Sequence, residues 1–257
     1  MHDIPTSSIK ETWKEAWKSS RNRQQIIIGT VSMLIVVFIL PVFFGYIEKR
    51  KGILLNDWVL DQLPPHNVSG LIFVIIWGMI LFVVIRAIFN PRIYITYAWA
   101  LVFVCIARLI CITLVPLDPP TGLIPLTDPL TGVFYGNTFV TKDLFFSGHT
   151  AILTLIALCL EKKTDKLIAW LAVIAVGFLL LVQHVHYTID VLAAPVIAYV
   201  LYTINQHFLF KSKSVRQNKR QEEAVSKPQE KAVDKPQEEA ADKLREKVLS
   251  KVYSSSK

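Results

Sequence analysis

Apolar runs at about 24–46, 69–89, 93–117, 145–160, 167–183 and 188–210 restrict the fold of this chain more than any other feature. A helical run of ~20 apolar residues matches the ~30 Å hydrocarbon core of a bilayer. Inside lipid, a helix lets one segment satisfy its own backbone hydrogen bonds. With 53% hydrophobic residues in a chain of 257, an ordinary soluble domain is not expected. The expected fold class is an all-α integral membrane protein with six transmembrane helices in a bundle. The fourth and fifth runs are short for a full crossing. Their polar ends are therefore expected slightly inside the bilayer, in a water-filled recess.

Three regions follow: 1–23, 24–210 and 211–257. Residues 1–23 are polar and basic. Ser8 and Glu11 have capping-box spacing, and Ile9, Trp13 and Trp17 share a helical face beside Lys10, Lys14 and Lys18. Both an amphipathic helix on the cytoplasmic membrane surface and a plain extension of the first span fit this pattern. In the tail, the stretch from Gln221 to Pro228 is echoed from Gln229 and again from Gln237. Such a Glu/Lys/Ala/Pro repeat cannot build a core, and a disordered charged tail is expected.

The net charge of +8 does not call for nucleic acid, because most of the Lys and Arg residues flank apolar spans, where anionic lipid suffices. With the N-terminus inside, inner segments hold Lys10, Lys14, Lys18, Arg21, Arg23, Arg92, Lys162, Lys163, Lys166, Lys211 and Lys213, and outer loops hold Lys49, Arg50, Lys51 and Lys142. The bias places both termini in the cytoplasm; the cluster from Glu48 to Lys51 runs against it. Cys105, Cys111 and Cys159 lie in apolar runs and read as buried thiols, with neither a disulfide framework nor a zinc site. The first apolar run starts late and lacks a cleavage pattern, so no cleavable signal peptide is expected.

Between the spans, Trp58, Leu60, Pro64 and Pro65 suggest a short interfacial helix, and Asn67-Val68-Ser69 matches a glycosylation sequon that abuts a span. Arg86 is expected to snorkel to the inner surface. Asn90-Pro91-Arg92 reads as a tight inner turn, and Pro195 as a kink in the last span. The loop over 118–146 carries two Pro/Gly turns, at Asp118–Gly122 and Asp128–Gly132. Arg108 lies about 12 Å below the outer end of the third span at 1.5 Å per residue. A charge at that depth is costly, which points to function or to a pair with a neighbouring helix.

Two polar stretches interrupt the apolar sequence: Asp143-Leu-Phe-Phe-Ser147-Gly148-His149-Thr150 and His186-Tyr187-Thr188-Ile189-Asp190-Val191. Two apolar runs separate them, so both return to one membrane face, the outer or lumenal one. Ser147-Gly148-His149 opens the fourth span, where free amides, the positive helix end and a glycine suit a phosphate. His149 stands beside it as a proton donor or acceptor. His186 and Asp190 share a helical face, and the carboxylate can fix the imidazole tautomer and leave the other nitrogen free to attack phosphorus. His184 points elsewhere and is expected to meet water. A metal site built from His149, His186 and Asp190 is the chemical rival. A transporter using Arg108 and the histidines as a relay is the non-enzymatic one, although no inverted repeat is visible.

These strings resemble the PAP2 superfamily of lipid phosphatases and phosphotransferases. The Asp143–Thr150 and His186–Val191 motifs, with Arg108, Thr113 and Pro116, resemble its sphingomyelin synthase branch over residues 24–210. The resemblance implies a PAP2-like helical bundle and a metal-independent transfer without a cofactor through a phosphohistidine. It gives His186 as nucleophile, Asp190 as its partner and His149 as acid and base. Arg108, Asp143, Ser147, Gly148 and Tyr187 are the implied substrate-binding residues. The implied partners are a phospholipid donor of phosphocholine or phosphoethanolamine and a lipid acceptor such as ceramide. The chain departs from the branch at Thr141-Lys142, where it has Cys-Gly, at Pro195, where it has Tyr, and at Asn205-Gln206, where it has Tyr-His. With water as acceptor, the same machinery is a lipid phosphatase acting on phosphatidic acid or an isoprenoid pyrophosphate.

Overall fold

The structure is a computed structural model that describes residues 13–126, 140–209 and 244–247. The Ser8/Glu11 pair, Ile9 and Lys10, the Asp128–Gly132 turn and most of the repeats in the tail lie outside the described residues. The chain forms two compact units, Met1–Gln206 and His207–Lys257. Of the second unit, residues 207–209 and a helical turn at 244–247 are described.

The described residues fold into helices α1 (Trp13–Lys18), α2 (Ser20–Ile47), α3 (Ser69–Phe89), α4 (Pro91–Leu114), α5 (Gly148–Cys159), α6 (Lys163–Val182) and α7 (Thr188–Leu209). Five of them (α2, α3, α4, α6 and α7) are long and apolar enough to cross a membrane. The fourth apolar run is different. Its helix, α5, has 12 residues, about 18 Å at 1.5 Å per residue, well short of the hydrocarbon core. Among the described residues the architecture is thus five full-length apolar helices, the short α5 packed among them and the short α1 ahead of α2.

Helix α5 is the hub. Most of its residues are buried, and it packs on α3, α4 and α6. One side sets Leu153 and Ile156 among Ile72, Ile76, Val173 and Val176. The other sets Ala151 and Leu155 among Ala100, Val104, Ala194 and Ala198. These small residues let the helix backbones approach closely, the packing that serves where lipid removes the hydrophobic drive between helices.

In the described part of the N-terminal region, α1 and α2 are separate helices. Ser19 is extended (φ −74°, ψ 113°) and its side chain accepts the Asn22 N–H, so α2 starts at a capped break and not at residue 24. The short α1 turns inward: the Trp13 indole donates to the Ile88 carbonyl at 2.8 Å, and its ring meets Tyr94 at 5.6 Å. Helix α2 leans on α4 through the Thr30–Tyr94 hydroxyl pair (2.6 Å) and a Trp99 indole bond to the Gln25 carbonyl (3.0 Å).

At the same end as α1, Pro91 takes the first helical position of α4 and the Asn90 side chain caps Arg92 N–H. Arg86, in the last turn of α3, meets a partner at the start of α6. It pairs with Asp165 through Nε–Oδ2 (2.8 Å) and Nη2–Oδ1 (3.0 Å) and lies over the Phe82 ring. The fork geometry of guanidinium and carboxylate fixes it at the end of α3 against the start of α6.

At the other end, loops converge. Ile53 and Leu117 form an isolated bridge, and Gly52 lies so close to the Leu117 backbone that a side chain there would collide with it. The expected interfacial helix is a single 3-10 turn at Leu60–Gln62, with Leu60 buried and Trp58 exposed. The cluster at 48–51 is tied into the protein: Arg50 donates to the Ile112 and Thr113 carbonyls (2.7 and 3.0 Å) and so caps the end of α4. The sequon serine, Ser69, is buried, and its hydroxyl accepts from Gln183. Helix α7 runs without a break through Pro195.

Candidate active site

The starts of α5 and α7 lie side by side. Ser147, the N-cap of α5, accepts the Thr150 N–H and hydroxyl on its side chain (3.5 and 3.1 Å) and donates its own N–H to the Asp190 carbonyl (3.1 Å). This last bond joins the two polar motifs. Gly148 follows, and a Cβ there would run into the Arg108 guanidinium. Glycine is required by that close approach. Arg108 rises from α4 and is buried. Its Nε donates to the Phe146 carbonyl at 3.2 Å, and its Nη2 pairs with Asp143.

His149 is half-buried, and its ring lies 6.4 Å from the His186 ring in an edge-on arrangement, with Phe73 at the same distance on another side. His186 is 2% exposed and Asp190 is 0% exposed. Asp190 sits in the first turn of α7 and its Oδ2 accepts the Tyr187 N–H at 3.1 Å, the return half of a capping box. The same oxygen faces His186 Nδ1 at 3.5 Å. Among the described residues, Nδ1 and Asp190 Oδ1 are buried without a hydrogen-bond partner. Buried unpaired polar atoms cost about 1–3 kcal/mol each, and catalytic bonds are commonly long before substrate arrives. Among the described residues, no three His, Cys, Asp or Glu side chains form a group suited to a metal ion.

The remaining predicted residues take other places. Tyr187 is buried with its hydroxyl engaged, donating to the Asp118 carbonyl (2.9 Å) and accepting from Leu55 N–H (3.1 Å). Burial pushes its phenol up from the usual range. His184 does not meet water. It is buried with φ 55°, and its Nδ1 and Nε2 lie 2.8 and 2.9 Å from the Thr121 and Leu63 carbonyls. A neutral ring can donate to one of these, an imidazolium to both. Gly122, at φ 80°, packs against that ring.

Two acidic residues were missed by the sequence reading. Asp57 accepts the Thr188 N–H (2.6 Å) and hydroxyl (3.0 Å), so it caps α7 from a distant loop. Burial pushes its carboxyl up, yet the bonds from Thr188, Leu60 and Val59 outweigh this and hold it below the ordinary range. Its local bonds to Val59 and Leu60 are a readable Asx pattern; the partner 131 positions away has no sequence signal. Glu48 accepts the N–H groups of Thr141 (3.0 Å) and Lys142 (3.2 Å) and the Thr141 hydroxyl. Asn205, one of the residues departing from the sphingomyelin synthase pattern, donates to the Thr96 carbonyl (3.0 Å) early in α4, at the end away from the histidines.

No curated protein matches the chain. Residues 142–208, about a quarter of the chain, match the PAP2 superfamily C-terminal model. The match spans Asp143, Ser147, Gly148, His149, His186 and Asp190, and it supports membership of the PAP2 superfamily.

Proposed function

We propose that this protein is a membrane lipid phosphotransferase that moves a phospho-headgroup, phosphocholine or phosphoethanolamine, from a glycerophospholipid to a lipid acceptor such as ceramide. The observation that carries the reading is the facing pair of His149 and His186, with rings 6.4 Å apart and Asp190 behind His186. Asp190 orients Nδ1 of His186, so Nε2 attacks phosphorus. The P–O bond to diacylglycerol breaks as His149 protonates the leaving oxygen. His149 then takes the proton from the acceptor hydroxyl, which attacks phosphorus and breaks the N–P bond. Arg108, under Gly148 at the start of α5, meets the charge on the phosphoryl oxygens together with the helix end.

The departures from the sphingomyelin synthase pattern favour one second reading, hydrolysis. Thr141-Lys142 and Asn205 serve loop anchoring and helix packing, so they leave the reacting groups intact and the acceptor open. With water as acceptor, the product is inorganic phosphate or a free phospho-headgroup. The bias of Lys and Arg along the sequence supports a histidine end on the outer or lumenal side, with both termini in the cytoplasm.

The test uses purified protein in lipid nanodiscs with headgroup-labelled phosphatidylcholine or phosphatidylethanolamine and ceramide. Label is expected in a new lipid and, on acid-free quenching, on His186. The His186→Ala variant is expected to lose at least ~10³-fold in rate. Full activity in that variant would overturn the mechanism, and label released only to water would replace transfer by hydrolysis.

A further inference from the structure

The segment that anchors the Arg108 guanidinium is itself fastened by residues that the guanidinium is not seen to touch. Two of its anchors, the Asp143 carboxylate and the Phe146 carbonyl, belong to a single segment leading into α5. Wherever that segment sits, the guanidinium follows. The segment is fastened immediately before Asp143. Glu48, at the end of α2, receives two consecutive backbone N–H groups and the Thr141 hydroxyl. Lys142 Nζ pairs with Asp118 Oδ1 at 2.8 Å and donates to the Arg50 carbonyl. Asp118 Oδ1 also accepts the Gly52 N–H at 3.2 Å. The Lys142 ammonium, foremost, holds the Asp118 carboxyl below its ordinary range.

Glu48 thus holds the Thr141–Lys142 backbone, the Lys142 ammonium pairs with Asp118, and Asp143 next in sequence pairs with Arg108. We infer that Glu48 and Lys142 are positioning residues that act through Asp143 to hold Arg108 beneath Gly148, where the phosphoryl group is bound. The inference rests on the phosphotransfer reading above. It also accounts for the Thr141-Lys142 pair, which departs from the Cys-Gly of the branch the chain resembles. Lys142 ties down the segment that enters α5, through Asp118 and the Arg50 carbonyl. A misplacement of ~1 Å in a binding group can cost ~10²-fold in rate, so the latch is expected to act on turnover.

The test compares Lys142→Met, Lys142→Arg and Glu48→Gln in nanodiscs with labelled phospholipid, beside thermal unfolding. Lys142→Met is expected to lower kcat by ~10–100-fold with little change in donor KM. Lys142→Arg should recover to within about threefold, since it keeps the charge. In an Arg108→Lys background, Lys142→Met should add almost nothing, because coupled residues are non-additive. A wild-type kcat in Lys142→Met, or losses that simply add to those of Arg108→Lys, would overturn the latch. So would losses that only track the folded fraction. If wild-type protein shows neither transfer nor hydrolysis, the functional reading fails, and phenylglyoxal labelling of Arg108 still decides the latch. Labelling at least threefold faster in Lys142→Met supports it, and an unchanged rate refutes it.

Discussion

Helices α2 and α5 are both apolar, yet they stand in opposite surroundings. Helix α2 has 28 residues and leaves Phe38 and Val42 77% and 76% exposed. Helix α5 has 12, with Leu153, Leu155 and Ile156 fully buried. Lipid is the solvent of the first and protein the solvent of the second. The difference shows where the fold spends its precision. A lipid-facing helix needs length and hydrophobicity alone. A helix enclosed by others can be short, because its ends meet protein and polar loops instead of headgroups. Its first turn can then carry a serine, a glycine and a histidine at depth.

The strongest way to break this comparison is to disturb that first turn. Gly148→Ala places a methyl group in the volume of the Arg108 guanidinium. Arg108 must move, and its bonds to Asp143 and Phe146 go with it. Activity on labelled phospholipid is expected to fall ~100-fold or more. Gly45→Ala in α2, where no atom lies near the added methyl, should leave the rate unchanged. Equal effects at the two glycines would mean that α5 is not the organising element.

Packing gives the next largest effect. Leu155→Ala opens a cavity among Ala100, Val104, Ala194 and Ala198, whose small side chains cannot collapse to fill it. A loss on the order of 2–5 kcal/mol is expected, read as a lowered unfolding midpoint in detergent. A loss below ~1 kcal/mol would show that α5 is packed loosely, against the burial described above.

A loop contact comes third. Asp57→Asn removes a carboxylate from the start of α7, with an expected cost of about 1 kcal/mol, as for other helix caps. The pH dependence has a definite sign. The folded carboxyl titrates below its unfolded value, so the stabilisation is present above about pH 4 and is lost as pH falls through the folded value. Asn at this position should flatten that acid limb of the unfolding profile. An unchanged limb would mean that α7 is held by its own first turn, through Asp190, without help from the loop.

The residues that could be read in advance are those whose signal is local. Apolar length marked the helices, and the fourth run was visibly short; the fifth, also read as short, forms the 20-residue α6 because its helix starts in the charged loop at Lys163. The depth of Arg108 and the spacing of His186 and Asp190 singled out residues that the fold brings to neighbouring helix starts. What could not be read depends on partners far along the chain. Nothing near Glu48 announces Thr141, 93 positions away, and nothing near Arg86 announces Asp165, 79 positions on. Hydropathy also cannot separate lipid from protein as the apolar surroundings, so the enclosure of α5 was illegible while its shortness was plain. His184 shows the same limit: its spacing excluded the face of His186, and only the fold supplied the Thr121 and Leu63 carbonyls.

The smallest expected effect tests α2 itself. Phe38 is 77% exposed, so Phe38→Ala removes few contacts with protein. Lipid chains take up the space that the ring leaves, and no protein cavity forms. The change in unfolding midpoint should correspond to less than ~0.5 kcal/mol, as for substitutions away from packed features. Turnover should also hold, since the link from α2 to the site runs through Glu48 at the far end of the helix. A loss comparable to that of Leu155→Ala would show that another protein surface covers this face. The contrast between a lipid-solvated α2 and a protein-solvated α5 would then disappear, and the length of α2 would have to be explained by that contact.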